Sequence, residues 1–402
     1  MQTKLPESLL RTPVGQKADS ILRACVHCGF CNATCPTYQL LGDELDGPRG
    51  RIYQIKQMLE GEPVSDKTRL HLDRCLTCRN CETTCPSGVR YHELLDIGRE
   101  MIEQRQPRPL AETLQRRLLL MVLPHTRRFA LLMQLASIAK PLLPKSLRAK
   151  LPQNSGLHSL PKPAQHQRKM LLLDGCVQPV LQGGTNAATI DVLDQLGIET
   201  IVAKEAGCCG AMAQHMANPG LAKQQITQNI DAWWPHVEAG AEAIISTASG
   251  CGLMLKEYGA LLEHDPDYAD KAATISNLSR DIVEVLEKED LTPLARKQAA
   301  PIAFHPPCTL QHGQQLNGRV EALLSKLGYQ LTPVHDKHLC CGSAGTYSIF
   351  QPEIATQLRD NKLDNLLANE PTLIATANIG CQQHLQSGTG KEVVHWIELL
   401  VR

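Results

Sequence analysis

Two cysteine runs, about forty residues apart, constrain this chain more than anything else in it. Cys25, Cys28, Cys31 and Cys35 are followed by Pro36, and Cys75, Cys78, Cys81 and Cys85 by Pro86, so both read C-x-x-C-x-x-C-x-x-x-C-P. Two-residue gaps let three sulfurs converge from one tight loop, and the backbone N–H groups of that loop then point at whatever the sulfurs hold. The proline ends each loop by fixing φ and removing a donor. A chain that carries the pattern twice has to fold around two thiol-lined sites.

The spacing is that of bacterial 4Fe-4S sites, in which the fourth thiolate of each run crosses to the other cluster. Read this way, one cluster takes Cys25, Cys28, Cys31 and Cys85, and the other takes Cys75, Cys78, Cys81 and Cys35. The crossing makes the two runs one structural unit. Zinc is the alternative for any C-x-x-C, but zinc takes four ligands in two pairs, whereas here four cysteines and a proline recur identically. A disulfide framework fits less well still, because sixteen cysteines without a secretory signal imply a reducing compartment. A cytoplasmic protein is expected.

At 402 residues the chain is long enough for two or three domains with proper cores. Its 41 basic and 41 acidic residues cancel, and aromatics make up only 3%, so neither global charge nor base-stacking surface points to nucleic acid. The longest purely apolar run, Leu118 to Leu123, ends at Pro124, far short of a membrane span.

Residues 1–24 have helical character. Between the runs, Ile52, Ile55 and Leu59 recur at helical spacing after a turn marked by Gly47, Pro48 and Gly50, and Leu94, Ile97 and Met101 show the same period after the second run. This predicts an all-α ferredoxin-like domain with two 4Fe-4S sites over residues 1–104. Arg49 and Arg51 read as solvated residues at a helix start, the other reading being charge near a cluster.

From Arg105 to Lys150 the composition changes. Ten basic residues (Arg105, Arg108, Arg116, Arg117, Arg127, Arg128, Lys140, Lys145, Arg148, Lys150) stand against one acidic residue, Glu112, and apolar groups alternate with arginine pairs. Two readings stay open: a basic amphipathic segment at an anionic membrane surface, or a helix docking on the cluster domain or a partner subunit. Pro141, Pro144, Pro152, Pro161 and Pro163 then form a linker, so residues 105–168 are read as basic segment plus linker.

The remainder is duplicated. Cys176, Cys208 and Cys209 recur at 132 residues' distance as Cys308, Cys340 and Cys341, and Cys251 recurs as Cys381 at 130. Gly210 and Gly342 follow the adjacent pairs. Each copy, residues 169–290 and 300–402, reads strand, helix, strand, cysteine pair, helix, strand, cysteine, with strands at Met170 to Leu173, Ile244 and Ile245, Ile302 to Phe304, and Leu373 and Ile374, and helices at Ala188 to Leu196 and Val320 to Leu327. That predicts an α/β domain with cysteines at strand ends, where open sheets place ligands. The two copies are expected to face each other across a pseudo-twofold. The eight cysteines form one further metal site per copy, a shared site, or buried structural thiols. His305, His335, His338 and His384 lie nearby in sequence as ligands or proton donors. No G-x-G-x-x-G after a strand, P-loop or nucleophile elbow accompanies them.

Two ferredoxin-type runs followed by two CCG repeats resemble the glycolate oxidase (glycolate dehydrogenase) iron–sulfur subunit family, nearly end to end. Its relatives include the iron–sulfur subunit of anaerobic glycerol-3-phosphate dehydrogenase, lactate-utilisation proteins and heterodisulfide reductase. The resemblance implies a subunit without its own substrate site, carrying two 4Fe-4S clusters on the eight run cysteines. Flavin-bearing partner subunits would oxidise glycolate to glyoxylate, FAD would sit only on those partners, and electrons would pass to a membrane quinone or similar acceptor. It also implies peripheral contact with the cytoplasmic face of the inner membrane.

One departure stands out. The heterodisulfide reductase subunit ends its CCG repeat in C-x-x-C, where this chain has Cys251 to Met254 and Cys381 to His384. The fifth thiolate is absent in both copies, which speaks against disulfide chemistry and leaves a four-cysteine site open. The alternatives to an electron-transfer subunit of a glycolate dehydrogenase are a subunit of a related glycerol-3-phosphate or lactate complex, a reductase with chemistry at its own CCG site, and a zinc scaffold.

Overall fold

The computed structural model describes residues 1–139, 159–294 and 300–401. Lys140, Lys145, Arg148, Lys150, Pro141, Pro144 and Pro152 lie outside the described residues. The architecture is the mixed one expected: helices first, then two small parallel sheets.

The helical part is built around the Pro48–Leu59 and Tyr91–Arg105 helices. Ile52, Ile55, Met58 and Leu59 of the first share one buried core with Leu94, Leu95 and Ile102 of the second. Gly98 permits the close approach, since a Cβ there would come within 2.8 Å of the Ile55 side chain. The Pro13–Ala24 helix adds Ile21 and Leu22 to this core, and its N-terminus is capped by Thr12, whose hydroxyl oxygen accepts from the Gly15 N–H at 3.0 Å. The expected turn at Gly47, Pro48 and Gly50 is displaced: Pro48 is already the first helical residue, a position where its missing N–H costs nothing.

The described part of the basic stretch, up to residue 139, contains two helices, Leu110–Val122 and Thr126–Ala139. Its charge is partly compensated by acidic residues before and within it. Arg108 pairs with Asp73 (2.6 Å), Glu103 (2.5 Å) and Glu112 (2.5 Å), and Arg116 with Glu112 (3.2 Å). Phe129, Ala130 and Met133 pack on Val180 of the first repeat.

In the first repeat, β1 (Arg168–Leu172), β2 (Ile198–Ile201), β3 (Ile244–Ser246) and β4 (Ser279–Asp281) form a parallel sheet in the order β2-β1-β3-β4. The second repeat pairs β5 (Ile302–His305), β6 (Leu373–Thr376) and β7 (Val393–His395), also parallel. The second strand expected in this copy is reduced to a bridge between Ile302 and Leu331. Pro333, which cannot donate to a ladder, follows two residues later and stops it. β4 and β7, which are not among the expected strands, complete the two sheets.

The expected helices appear as Gly183–Gln195 and Arg319–Lys326. The two sheets share one core, in which Leu172 and Ile245 meet Phe304 and Trp396. Across it the Ser249 N–H donates to the Ala377 carbonyl (3.1 Å), and the His395 ring lies 2.8 Å from the Thr247 carbonyl oxygen. The helical part docks on both repeats, through Arg79 and Glu257 on one side and Tyr347 Oη donating to the Arg74 carbonyl (3.1 Å) on the other. No helix among the described residues is long and apolar enough to cross a membrane.

Candidate metal centres

The two cysteine runs adopt the same loop. His27 and Gly29 in the first run, and Thr77 and Arg79 at the matching places in the second, are left-handed, with φ of 60°, 86°, 54° and 59°. Left-handed turns on either side of the second cysteine direct successive thiols and N–H groups inward. The Thr77 N–H lies 3.5 Å from Cys75 Sγ in such a contact.

Two pockets result. The first is lined by Cys25, Cys28, Cys31 and Cys85 together with Cys81 and Arg49. The second is lined by Cys35, Cys75, Cys78 and Cys81 together with Thr37 and Arg51. Cys85 thus reaches the first run's pocket and Cys35 the second run's, with Cys81 and Tyr91 on the wall between them. Thr34 and Thr84, each just before a fourth cysteine, bond through their hydroxyls at 3.1 Å and hold the crossing. An all-thiol donor set around a void of this kind suits an iron–sulfur cluster.

Burial pushes the thiol pKa of Cys31 up to about 11, with Cys25 and Cys85 adding to the rise, and holds Cys78 and Cys81 well above the usual thiol value. A cation is what such a group of buried thiols needs before it ionises.

Arg51 corrects the sequence reading. It is 1% exposed, not solvated, and its guanidinium donates to Thr37 Oγ1 (3.1 Å) and to the His71 carbonyl (2.7 Å). Asp46, fully buried, lies 3.4 Å from it and also binds Arg74 (2.8 Å) and His71 (2.9 Å). Thr37 in turn sits 3.3 Å from Cys35 Sγ. This shell of Asp46, Thr37, His71 and Arg74 was not legible in advance. Arg49 is half-exposed and paired with Glu44 at 2.6 Å, closer to what was expected.

The duplicated cysteines also converge. Cys176 and Cys208 sulfurs are 3.6 Å apart, and Cys308 and Cys340 sulfurs 3.9 Å. Cys209, next in sequence to Cys208, shares a buried cluster with Cys251, and Cys341, next to Cys340, shares one with Cys381, so the four thiols of each copy lie together. Among the described residues the close sulfur–sulfur contacts fall within each copy. Cys340, with Cys308 against it, shares a buried cluster with Leu76 and Cys78 of the second run, whereas Cys209 and Cys251 lie in the first repeat's own core.

Of the four histidines, His305 alone joins the sulfurs: its ring nitrogen and the Cys341 and Cys381 sulfurs lie within 4.8 Å of one another. Burial holds its pKa well below the usual value, so the ring is neutral. His384 is 3.0 Å from the Ala355 carbonyl oxygen, His335 is exposed, and the half-buried His338 is tied in through its carbonyl, which accepts from Asn80 at 3.1 Å. Asp43, Asp46 and His71 also cluster, but Arg51 and Arg74 already occupy Asp46.

Comparison with known proteins agrees with this layout. Residues 21–89 match the 4Fe-4S dicluster domain, and residues 170–256 and 302–386 each match the cysteine-rich domain. Residues 21–89 therefore form a domain of the kind that holds 4Fe-4S clusters. The chain is 57% identical over 402 residues, all of this chain and 98% of the relative, to the glycolate oxidase iron-sulfur subunit of Escherichia coli (strain K12). It is 31% identical over 415 residues, covering 94% and 93%, to the probable glycolate oxidase iron-sulfur subunit of Bacillus subtilis (strain 168). Lactate utilization protein A of Bacillus licheniformis is 28% identical over 245 residues, which is 58% of this chain and 98% of the relative.

Proposed function

The chain belongs to the family of glycolate oxidase iron–sulfur subunits, part of an oxidoreductase complex, and we propose that it carries electrons from a flavin on partner subunits, where glycolate becomes glyoxylate, to a membrane quinone or similar acceptor. When bound, the clusters supply one-electron carriage, which a two-electron flavin oxidation needs on its way out.

What the chain itself does is hold and insulate. We assign Cys25, Cys28, Cys31 and Cys85 to one cluster and Cys75, Cys78, Cys81 and Cys35 to the other, because each set lines one pocket. Cys28 is exposed and Cys78 is buried against the second repeat, so the first site opens to the surface and the second leads inward. This polarity is the observation that carries the reading: a path with one open and one covered end suits relay between partners better than reaction with a small substrate.

We place the chain in the cytoplasm, in peripheral contact with the inner membrane through the two helices at residues 110–139. Leu110, Leu114, Leu118 and Met121 form one exposed stripe, and Leu131, Leu135 and Ile138 another.

The test uses the assembled complex. Cys28→Ser is expected to remove one cluster and abolish quinone reduction while substrate still reduces the partner's flavin. Quinone reduction at the normal rate in that variant would mean that the chain is not the conduit.

A further inference from the structure

His305 ends β5 at 1% exposure, and among the described residues neither of its ring nitrogens has a hydrogen-bond partner. A buried imidazole without any partner is costly, and a bound metal centre is one group that would satisfy it. Its neighbours are two thiols, Cys341 and Cys381, with all three donor atoms within 4.8 Å. Cys308 and Cys340 extend the group toward Cys78.

The duplication supplies an internal comparison. Position 173 of the first repeat, 132 residues earlier, is Leu173, which is buried and cannot ligate. A second difference lies on the helix after the cysteine pair, which begins at Pro219 in the first copy and at Pro352 in the second. Counting from those prolines, Asn229 corresponds to Lys362. Asn229 is neutral and spends its amide on the Cys208 carbonyl (2.9 Å) and the Gly207 N–H (2.7 Å). Lys362 is 2% exposed, donates to the Asp336 carbonyl (2.6 Å) and sits in the electrostatic field of Cys340, Cys341 and Cys381. The second copy has therefore gained an imidazole and a buried lysine where the first has a leucine and an asparagine.

We propose that the second cysteine-rich repeat holds an iron–sulfur centre with a mixed ligand set, His305 with Cys341 and Cys381, completed by Cys308 and Cys340, for which the first repeat has no nitrogen counterpart. Four thiols and an imidazole exceed a zinc tetrahedron. Thiolate with imidazole is also an iron–sulfur donor set. The border with Cys78 puts the centre against the second ferredoxin-type site.

The experiment uses the full chain, purified without oxygen. Iron and acid-labile sulfide are counted, and pulsed EPR of the reduced protein is recorded with and without 15N-labelled histidine. The expected result is iron above the roughly eight atoms of two cubes, with a histidine-nitrogen coupling that responds to the label. His305→Leu, which installs the first repeat's residue, should remove that coupling, and His305→Cys should keep the iron but lose the coupling. In both variants the signals of the two run sites serve as the folding control and should persist. Iron no higher than two cubes in the unaltered chain, zinc at the site, or a histidine coupling that survives His305→Leu overturns the proposal. None of these outcomes bears on whether glycolate is the complex's substrate.

Discussion

Arg49 and Arg51, two residues apart in the first turn of one helix, serve different cysteine pockets: Arg49 lines the one containing Cys28, and Arg51 the one containing Cys75. Only Arg51 is buried, where the field of a positive charge is weakly screened.

Removing Arg51 should therefore change one site and spare the other. A positive charge beside a cluster favours the reduced, more negative form, so Arg51→Met is expected to lower the reduction potential of the second site and leave the first where it was. Arg51→Lys keeps the charge but loses the forked contact with Thr37 and the His71 carbonyl, and should recover part of the shift. An EPR-monitored redox titration reads both sites at once; equal shifts in the two, or none, would refute the assignment.

The sequence carried the thiol sites because loop spacing is local: a cysteine two residues from the next can only converge or diverge. It carried the duplication because the register repeats at 132 residues. Arg51 was misread because its burial depends on Asp46 and His71, which reach it from the short 3-10 helix at Glu44–Asp46 and from a second helix. His305 could not be ranked above His384 for a similar reason. Both lie within three residues of a cysteine, yet one is aimed at two thiols and the other at the Ala355 carbonyl.

The two glycines after the cysteine pairs should tolerate alanine unequally. Both are left-handed, Gly210 with φ of 92° and Gly342 with φ of 88°, which costs an L-residue about 1–2 kcal/mol. A Cβ at Gly210 would sit 3.3 Å from the Ala222 carbonyl oxygen, but at Gly342 it would sit 2.5 Å from that of Ala355. Gly342→Ala is expected to lower the thermal midpoint clearly more than Gly210→Ala. Equal losses would show that backbone strain, not the contact with Ala355, sets the cost.

Asp281 caps the helix that follows β4, its carboxylate oxygen accepting from the Val283 N–H at 3.1 Å, while its other oxygen has no hydrogen-bond partner among the described residues. Burial raises its pKa from 3.8 to about 7. The folded state thus keeps a proton that the unfolded chain releases. Stability from this group is full below pH 4, falls as pH rises, and is lost above 7. Asp281→Asn keeps the cap and stays neutral. Its stability relative to the unaltered chain should rise between pH 4 and 7 and level off above, with a gain on the order of 4 kcal/mol. A thermal midpoint difference that is the same at pH 5.5 and pH 8 would contradict the shift.

The helices at residues 110–139 give the last test. Exposed Leu131, Leu132, Leu135 and Ile138 lie along one side of the second helix, and Arg117, Arg127 and Arg128 are exposed beside the apolar stripes. An anionic vesicle would be held by both features, and an arginine near such a surface contributes ~1 kcal/mol, about fivefold in binding. The chain should co-sediment with vesicles containing acidic lipid, less so as salt is raised. Arg127→Gln with Arg128→Gln should weaken binding by more than tenfold, and Leu131→Gln with Leu135→Gln should weaken it at all salt concentrations, with iron content unchanged in each case. The assembled complex decides between surfaces: if it fails to bind vesicles that the free chain binds, a partner subunit covers these helices, and the membrane contact lies elsewhere.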